Sequence, residues 1–193
     1  MLDYFFIFFF KIFGWKLRGG IPRELKKTIC IVSPHAKTID FLIGLGARAM
    51  LQKRDSITIN FLGKAELFKG SFGWLFEGLG GIPVDRFNNN DMVQSVVDLI
   101  NSKETIHIAL APEGTRKQVS SLRTGFYYMA RNAHLPLIMI AFDYENREVF
   151  FNKPFYLSGD ISGDLVKIAQ FYNSFGGVKK EWIGNILNDF EKV

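Results

Sequence analysis

Short β-branched runs and stretches of helical spacing alternate along most of this chain. Thr28-Ile-Cys-Ile-Val-Ser33 ends at Pro34 and predicts a buried strand. From Ile39 to Lys53, the positions of Leu42, Ile43, Leu45, Ala49 and Met50 predict a helix. Ser56 to Leu62 predicts a strand, 64–68 and 73–79 short helices, Ile82 to Val84 a short strand, and Asp91 to Ser102 an amphipathic helix. Thr105 to Ala111 predicts a strand, Ser121 to Asn132 a helix, and Leu135 to Phe142 a strand. Arg147 to Phe151 predicts a further strand, hairpinned through Glu145-Asn146. Helices over 162–173 and 178–191 follow. Strands alternating with helices imply an α/β single-domain sandwich, its mostly parallel or mixed central sheet flanked by helices. In such sheets ligands bind beyond the carboxyl ends of the strands. His35, Arg86, Glu113 and Arg116 each follow a predicted strand, so parallel strands would put them on one rim.

The first fifteen residues form an aromatic-rich apolar helix interrupted by Asp3 and Lys11. The run between those charges is far shorter than the roughly 20 residues a membrane span needs. It lacks the basic start and the cleavage site of a signal peptide. Two uses fit: packing on the body of the domain, or lying in a lipid headgroup layer with Lys11, Lys16 and Arg18 towards phosphates. The chain therefore divides into residues 1–18, an apolar helix with a membrane interface as one of these two uses, and residues 19–193, the domain proper. Arg18-Gly-Gly-Ile-Pro22 breaks regular structure between them.

Charge narrows the partners. A formal charge of +5 favours anionic partners such as phosphate esters, coenzyme A, acidic carrier proteins or anionic lipid. No dense basic cluster or zinc spacing points to nucleic acid. The lone Cys30 excludes an internal disulfide and suits a reducing cytosol. Set within an apolar strand, it reads as core. His107 reads as a packed strand residue. Three scattered histidines and one cysteine do not suggest a metal site.

Three polar clusters carry candidate chemistry. The first is His35 to Asp40. In one regular helix the pair would point about 140° apart, but His35 on the loop and Asp40 on the first turn can meet. Asp40 would then fix the imidazole tautomer and leave the other nitrogen to take a proton. A surface histidine beside an ordinary first-turn carboxylate fits the pair equally. The second cluster is Gly81-Ile-Pro-Val-Asp-Arg86, where Arg86 offers a guanidinium or simply pairs with Asp85. The third is Glu113-Gly114-Thr115-Arg116. Gly114 permits a tight turn, Arg116 presents a planar fork suited to phosphate, and Glu113 can orient that fork or accept from a hydroxyl.

Together, in this order, His35-x-x-x-x-Asp40, Gly81 to Arg86, Pro112-Glu-Gly-Thr-Arg116 and apolar Leu135 to Ile140 resemble the four blocks of the glycerolipid acyltransferases, the 1-acylglycerol-3-phosphate acyltransferases and relatives. The resemblance runs over residues 30–142. It implies that His35 is a general base oriented by Asp40, and that Arg86, Glu113 and Arg116 bind the acceptor. Lys64 would add charge at the acceptor's phosphate, and Arg123-Thr-Gly125 is a weaker match to a basic element that often follows the third block. Pro34, Lys37 and Ala111 depart from residues common in the family, Lys37 adding a positive charge beside the base. The implied reaction moves a fatty acyl group from a coenzyme A or acyl carrier protein thioester to a glycerol-phosphate or lysophospholipid hydroxyl, with no metal or cofactor. The expected setting is cytoplasmic, peripheral on the cytosolic face of the membrane. A non-catalytic lipid-binding protein of the same fold, or a hydrolase using the same base, are the alternatives.

Overall fold

Seven strands form one sheet among the residues described by the computed structural model, which are 2–35, 37–84, 89–176 and 180–190; the side chains of 89–91 lie outside the description. In chain order the elements are α1 (Leu2–Ile12), β1 (Lys16–Arg18), β2 (Lys27–Ser33), α2 (Ile39–Asp55), β3 (Ile59–Lys64), α3 (Ala65–Lys69), α4 (Gly73–Gly78) and β4 (Gly81–Val84). Then come α5 (Asn89–Ser102), β5 (Ile106–Leu110), α6 (Gly125–Asn132), β6 (Leu137–Asp143), β7 (Glu148–Phe151), α7 (Ile161–Asn173) and α8 (Glu181–Phe190). The sheet order is β1-β7-β6-β2-β5-β3-β4. Strands β6, β2, β5, β3 and β4 are mutually parallel; β7 returns antiparallel to β6 and carries β1 parallel to itself.

The period of two along the central strands sorts the core into layers. Ile29 and Ile31 of β2, with Leu137, Met139 and Ala141 of β6, pack against α5, α6, α7 and α8. Cys30, Ile138, Ile140 and Phe142 face the other way, into a layer built with α1 and α2. Because both faces are covered, all of β6 is buried and its sequence reads as one apolar run. The first helix lies on α2, with Phe6 and Phe10 buried. Gly46 makes that approach possible, since a Cβ there would fall 2.7 Å from the Phe10 ring. Burying the Phe10 ring contributes about 2 kcal/mol. Phe5, Phe8 and Ile12 remain exposed on the far side of α1, with Leu2 and Phe13 exposed at its two ends, so the helix is packed on one face and bare on the other. No helix among the described residues is long and apolar enough to cross a membrane.

The structure differs from the sequence expectation at three boundaries. Lys16–Arg18 is an edge strand, and Arg18 lies 3.6 Å from Glu148 instead of extending the basic flank of α1. Ser56 is not yet strand; its left-handed backbone (φ 61°) ends α2 as its N–H bonds Gln52 O. Helix α6 starts at Gly125 rather than 121, because the preceding segment is drawn to the β5 loop by a bond from Arg123 N–H to Pro112 O.

Candidate active site

The carboxyl ends of the parallel strands form one rim. Strand β2 runs into Pro34 and His35, β5 into Glu113–Arg116, β6 into Tyr144, and β3 ends on Lys64. Strand β4 ends at Val84, so Arg86 lies outside the described residues.

His35 sits on the loop before α2 and Asp40 on the first turn of that helix, the arrangement that lets residues five apart meet. The imidazole Nδ1 lies 3.7 Å from Asp40 Oδ2, with 26% of the His35 side chain exposed and none of the Asp40 side chain. Asp40 also accepts the Lys37 backbone N–H at 2.7 Å and the Tyr144 hydroxyl. Thr38, at the cap position, makes no side-chain cap bond, so Asp40 satisfies an amide ahead of the helix itself. The Lys37 ammonium lies over the Tyr144 ring, 4.5 Å from its centre, which ties the side chain to the same cluster.

Glu113 approaches from the other side and is buried. Its Oε1 accepts the Ser33 hydroxyl at 2.6 Å and, more weakly, the His35 backbone N–H at 3.4 Å. Its Oε2 lies 2.7 Å from the ammonium of Lys180, whose side chain is 1% exposed. That ammonium also donates to the His35 carbonyl at 3.1 Å. The sequence reading gave Glu113 to the acceptor; the structure places its carboxylate among protein groups. The turn that delivers it requires glycine at 114, where φ is +66° and a Cβ would fall 2.8 Å from Arg123 Nε. Beyond it, Thr115 is partly exposed and its hydroxyl accepts the Lys117 N–H at 3.2 Å, while Arg116 and Lys64 are exposed on the rim.

These charges act on His35 in opposite directions. Burial lowers its pKa most strongly, Asp40 raises it, Arg116 lowers it, Glu113 raises it and Lys180 lowers it; the net result lies below the ordinary histidine value. The imidazole is therefore neutral at neutral pH and available as a proton acceptor.

Other candidates resolve as structure. Burial pushes the Cys30 thiol up to about 12, too high for a nucleophile. His107 is buried, its Nδ1 2.9 Å from the Thr28 hydroxyl, and burial lowers its pKa to about 4. Among the described residues no three His, Cys, Asp or Glu side chains converge as a metal-ligand set. A cavity of about 400 Å³ lined by Asn60, Glu77, Pro83, Lys103 and Thr105 opens at the amino ends of β4 and β5. It lies at the opposite end of the sheet from the rim where His35, Asp40, Glu113 and Lys180 converge.

Sequence reasoning missed Tyr144, Ser33 and Lys180. Ser33 carried a usable signal, a polar residue closing a buried run. Tyr144 lay next to the expected turn, and Lys180, 145 residues from His35, fell inside the expected 178–191 helix with nothing to single it out.

Comparison with known proteins bears on the family and the fold. The Acyltransferase family matches residues 18–143, well over half of the 193-residue chain. The fold is similar to that of PlsC, the 1-acyl-sn-glycerophosphate (LPA) acyltransferase from Thermotoga maritima. The TM-score is 0.57 and the identity 17%, covering 88% of this chain and 74% of that one. No curated protein sequence matches the chain.

Proposed function

From the premise that this chain belongs to the Acyltransferase family, we propose that it transfers a fatty acyl group from an acyl thioester, on coenzyme A or acyl carrier protein, to the hydroxyl of a glycerol-phosphate or lysophospholipid acceptor. The observation that carries this reading is a neutral, partly exposed His35 backed by the buried Asp40, with the Arg116 cation on the next loop.

The chemistry follows from the placement. Nδ1 faces Asp40, which leaves Nε2 to take the acceptor's hydroxyl proton as the hydroxyl oxygen attacks the thioester carbonyl. Asp40 stabilises the imidazolium. Collapse of the tetrahedral adduct breaks the carbon–sulfur bond, and the imidazolium returns its proton to the leaving thiolate. The product is an ester and a free thiol, with no covalent enzyme intermediate. Arg116, with Lys64 and, on the sequence reading alone, Arg86, holds the acceptor's anionic group and so places its hydroxyl. Gly114 and Thr115 shape the turn that presents Arg116. Glu113 works from below, through Ser33 and the His35 backbone.

The same reading includes contact with a lipid surface on the cytosolic face. Phe5, Phe8 and Ile12 on α1, Phe13 just after it, Leu67 on α3, and Phe72 and Trp74 at the start of α4 are exposed. Exposed aromatic and aliphatic side chains in such number suit the headgroup boundary.

The test is a donor-by-acceptor assay on wild type and His35→Ala, read by mass spectrometry, with acyl-CoA and acyl carrier protein thioesters against glycerol 3-phosphate and a lysophospholipid panel. Acylated acceptor formed by wild type and reduced on the order of 10³-fold in the variant is expected. Thioester loss without acylated product means hydrolysis, and absence of turnover with any pair points to a lipid-binding role.

A further inference from the structure

Lys180 is the least expected member of the rim. It immediately precedes α8, and burying an ammonium is costly unless it is paired and hydrogen-bonded. Here both conditions hold: Glu113 Oε2 is 2.7 Å away and the His35 carbonyl 3.1 Å away. The amino-terminal half of α8 is fastened to the loop after β5 as well. Glu181 N–H bonds Gln118 Oε1, and Asn185 Nδ2 bonds Ser120 O, both on the segment that carries Arg116. Trp182 is fully buried and stacks edge-on with Tyr172, whose hydroxyl donates to Ile31 O at 2.6 Å on the strand leading to His35. The start of α8 therefore clamps the β2 and β5 loops together, and within that clamp Lys180 holds the His35 carbonyl while Glu113 accepts the His35 N–H.

We propose that Lys180 is a positioning residue for His35: its buried ammonium closes Glu113 into an ion pair and holds the His35 carbonyl, so that the approach to α8 forms part of the acyl-transfer site. The inference rests on the acyl-transfer reading for its kinetic consequence and on geometry alone for its electrostatic one. Asp40 on α2, Glu113 and Arg116 after β5, and Lys180 before α8 all act on the imidazole, with Lys37 and the Tyr144 hydroxyl beside Asp40. Glu113 raises the His35 pKa and Lys180 lowers it, so the pair offset one another. Removing the ammonium alone leaves the Glu113 charge beside the base, and His35 protonates at higher pH. Removing the carboxylate alone does the reverse.

The experiment compares wild type, Lys180→Met, Glu113→Gln and the double variant. The His35 ring proton is titrated by NMR in each, and kcat and KM are measured across pH. The expected result is a midpoint moved up in Lys180→Met, moved down in Glu113→Gln and returned towards wild type in the double variant. In Lys180→Met kcat falls about ten-fold or more as the loop shifts, with donor and acceptor KM little changed. If Lys180→Met does not fold, the charge-balanced double variant against Glu113→Gln still decides, because its midpoint must lie higher. Equal midpoints in those two proteins, or a folded Lys180→Met with reduced Tm but unmoved midpoint and kcat, would overturn the inference. Wild type without turnover would sink the acyl-transfer reading instead, and the titrations would still judge Lys180.

Discussion

Asp40 and Glu113 approach His35 from opposite sides, and their neighbourhoods are built differently. On the α2 side the buried carboxylate faces the imidazole ring itself and is held by a Lys37 amide and a Tyr144 hydroxyl. On the α8 side the carboxylate meets the His35 backbone, held by Ser33 and a buried ammonium. The difference assigns separate tasks to two superficially similar groups. On the proposed mechanism, the first would govern what the ring does with a proton, and the second where the loop carrying the ring lies.

Replacing Asp40 tests the first half of that division and has the largest expected effect after loss of His35 itself. Asp40→Asn keeps the size but removes the charge that stabilises an imidazolium, and it can present an amide N–H to the ring. A fall in kcat of roughly 10²-fold or more is expected. The sign in pH is fixed. Activity needs the neutral imidazole, Asp40 raises the His35 pKa, and so its loss moves the acidic limb of kcat/KM further down. Steady-state rates over a pH series check both; an unmoved limb would show that Asp40 acts on the helix rather than on the ring.

Arg116 sharpens the comparison from within the β5 loop, which sends Glu113 inward and Arg116 outward on either side of the Gly114 turn. On the proposed acceptor contact, Arg116→Ala would remove a charge-assisted interaction made in ground and transition states alike, raising the acceptor KM about ten-fold with kcat nearly unchanged. Arg116 lowers the His35 pKa, so the acidic limb moves up, opposite to Asp40→Asn. A change confined to the thioester KM would reassign Arg116 to the donor.

The same contrast explains what was readable in the sequence. The fold was legible because each buried element leaves a local hydrophobic period, and β6 and α2 lie close to their expected positions. The three-residue strand β1 leaves no such mark; it exists through its pairing with β7, more than 100 residues away. The late start of α6 is likewise set by Pro112 across the rim. Within the site, the α2 side was legible because His35 and Asp40 are neighbours in the chain and a loop-to-helix step suffices to join them. The α8 side was not. Lys180 resembles any basic residue in an expected amphipathic helix, and only the sheet order brings α8 beneath the β2 and β5 loops. Glu113 was recognised as part of the site from its block, but its partners are non-local, so its inward orientation could not be read.

Tyr144 supplies the smallest test and the most selective one, since its hydroxyl donates to Asp40. Tyr144→Phe deletes the hydroxyl that donates to Asp40 and leaves an aromatic face on which the Lys37 ammonium can still rest, so the cation–π contact survives. The Asp40 carboxylate loses one of the donors that share its charge, and the remaining charge favours the imidazolium more. The acidic limb should therefore move slightly upward, with kcat reduced a few-fold as Asp40 loses one anchor, in keeping with a net hydrogen-bond contribution of about 1 kcal/mol. Rates across pH, taken beside Asp40→Asn, separate two cases. A small loss with an upward limb places Tyr144 behind Asp40. A loss as large as that of Asp40→Asn would mean that the hydroxyl reaches the reacting atoms, and the α2 side of the site would then hold two groups acting on substrate rather than one acting through another.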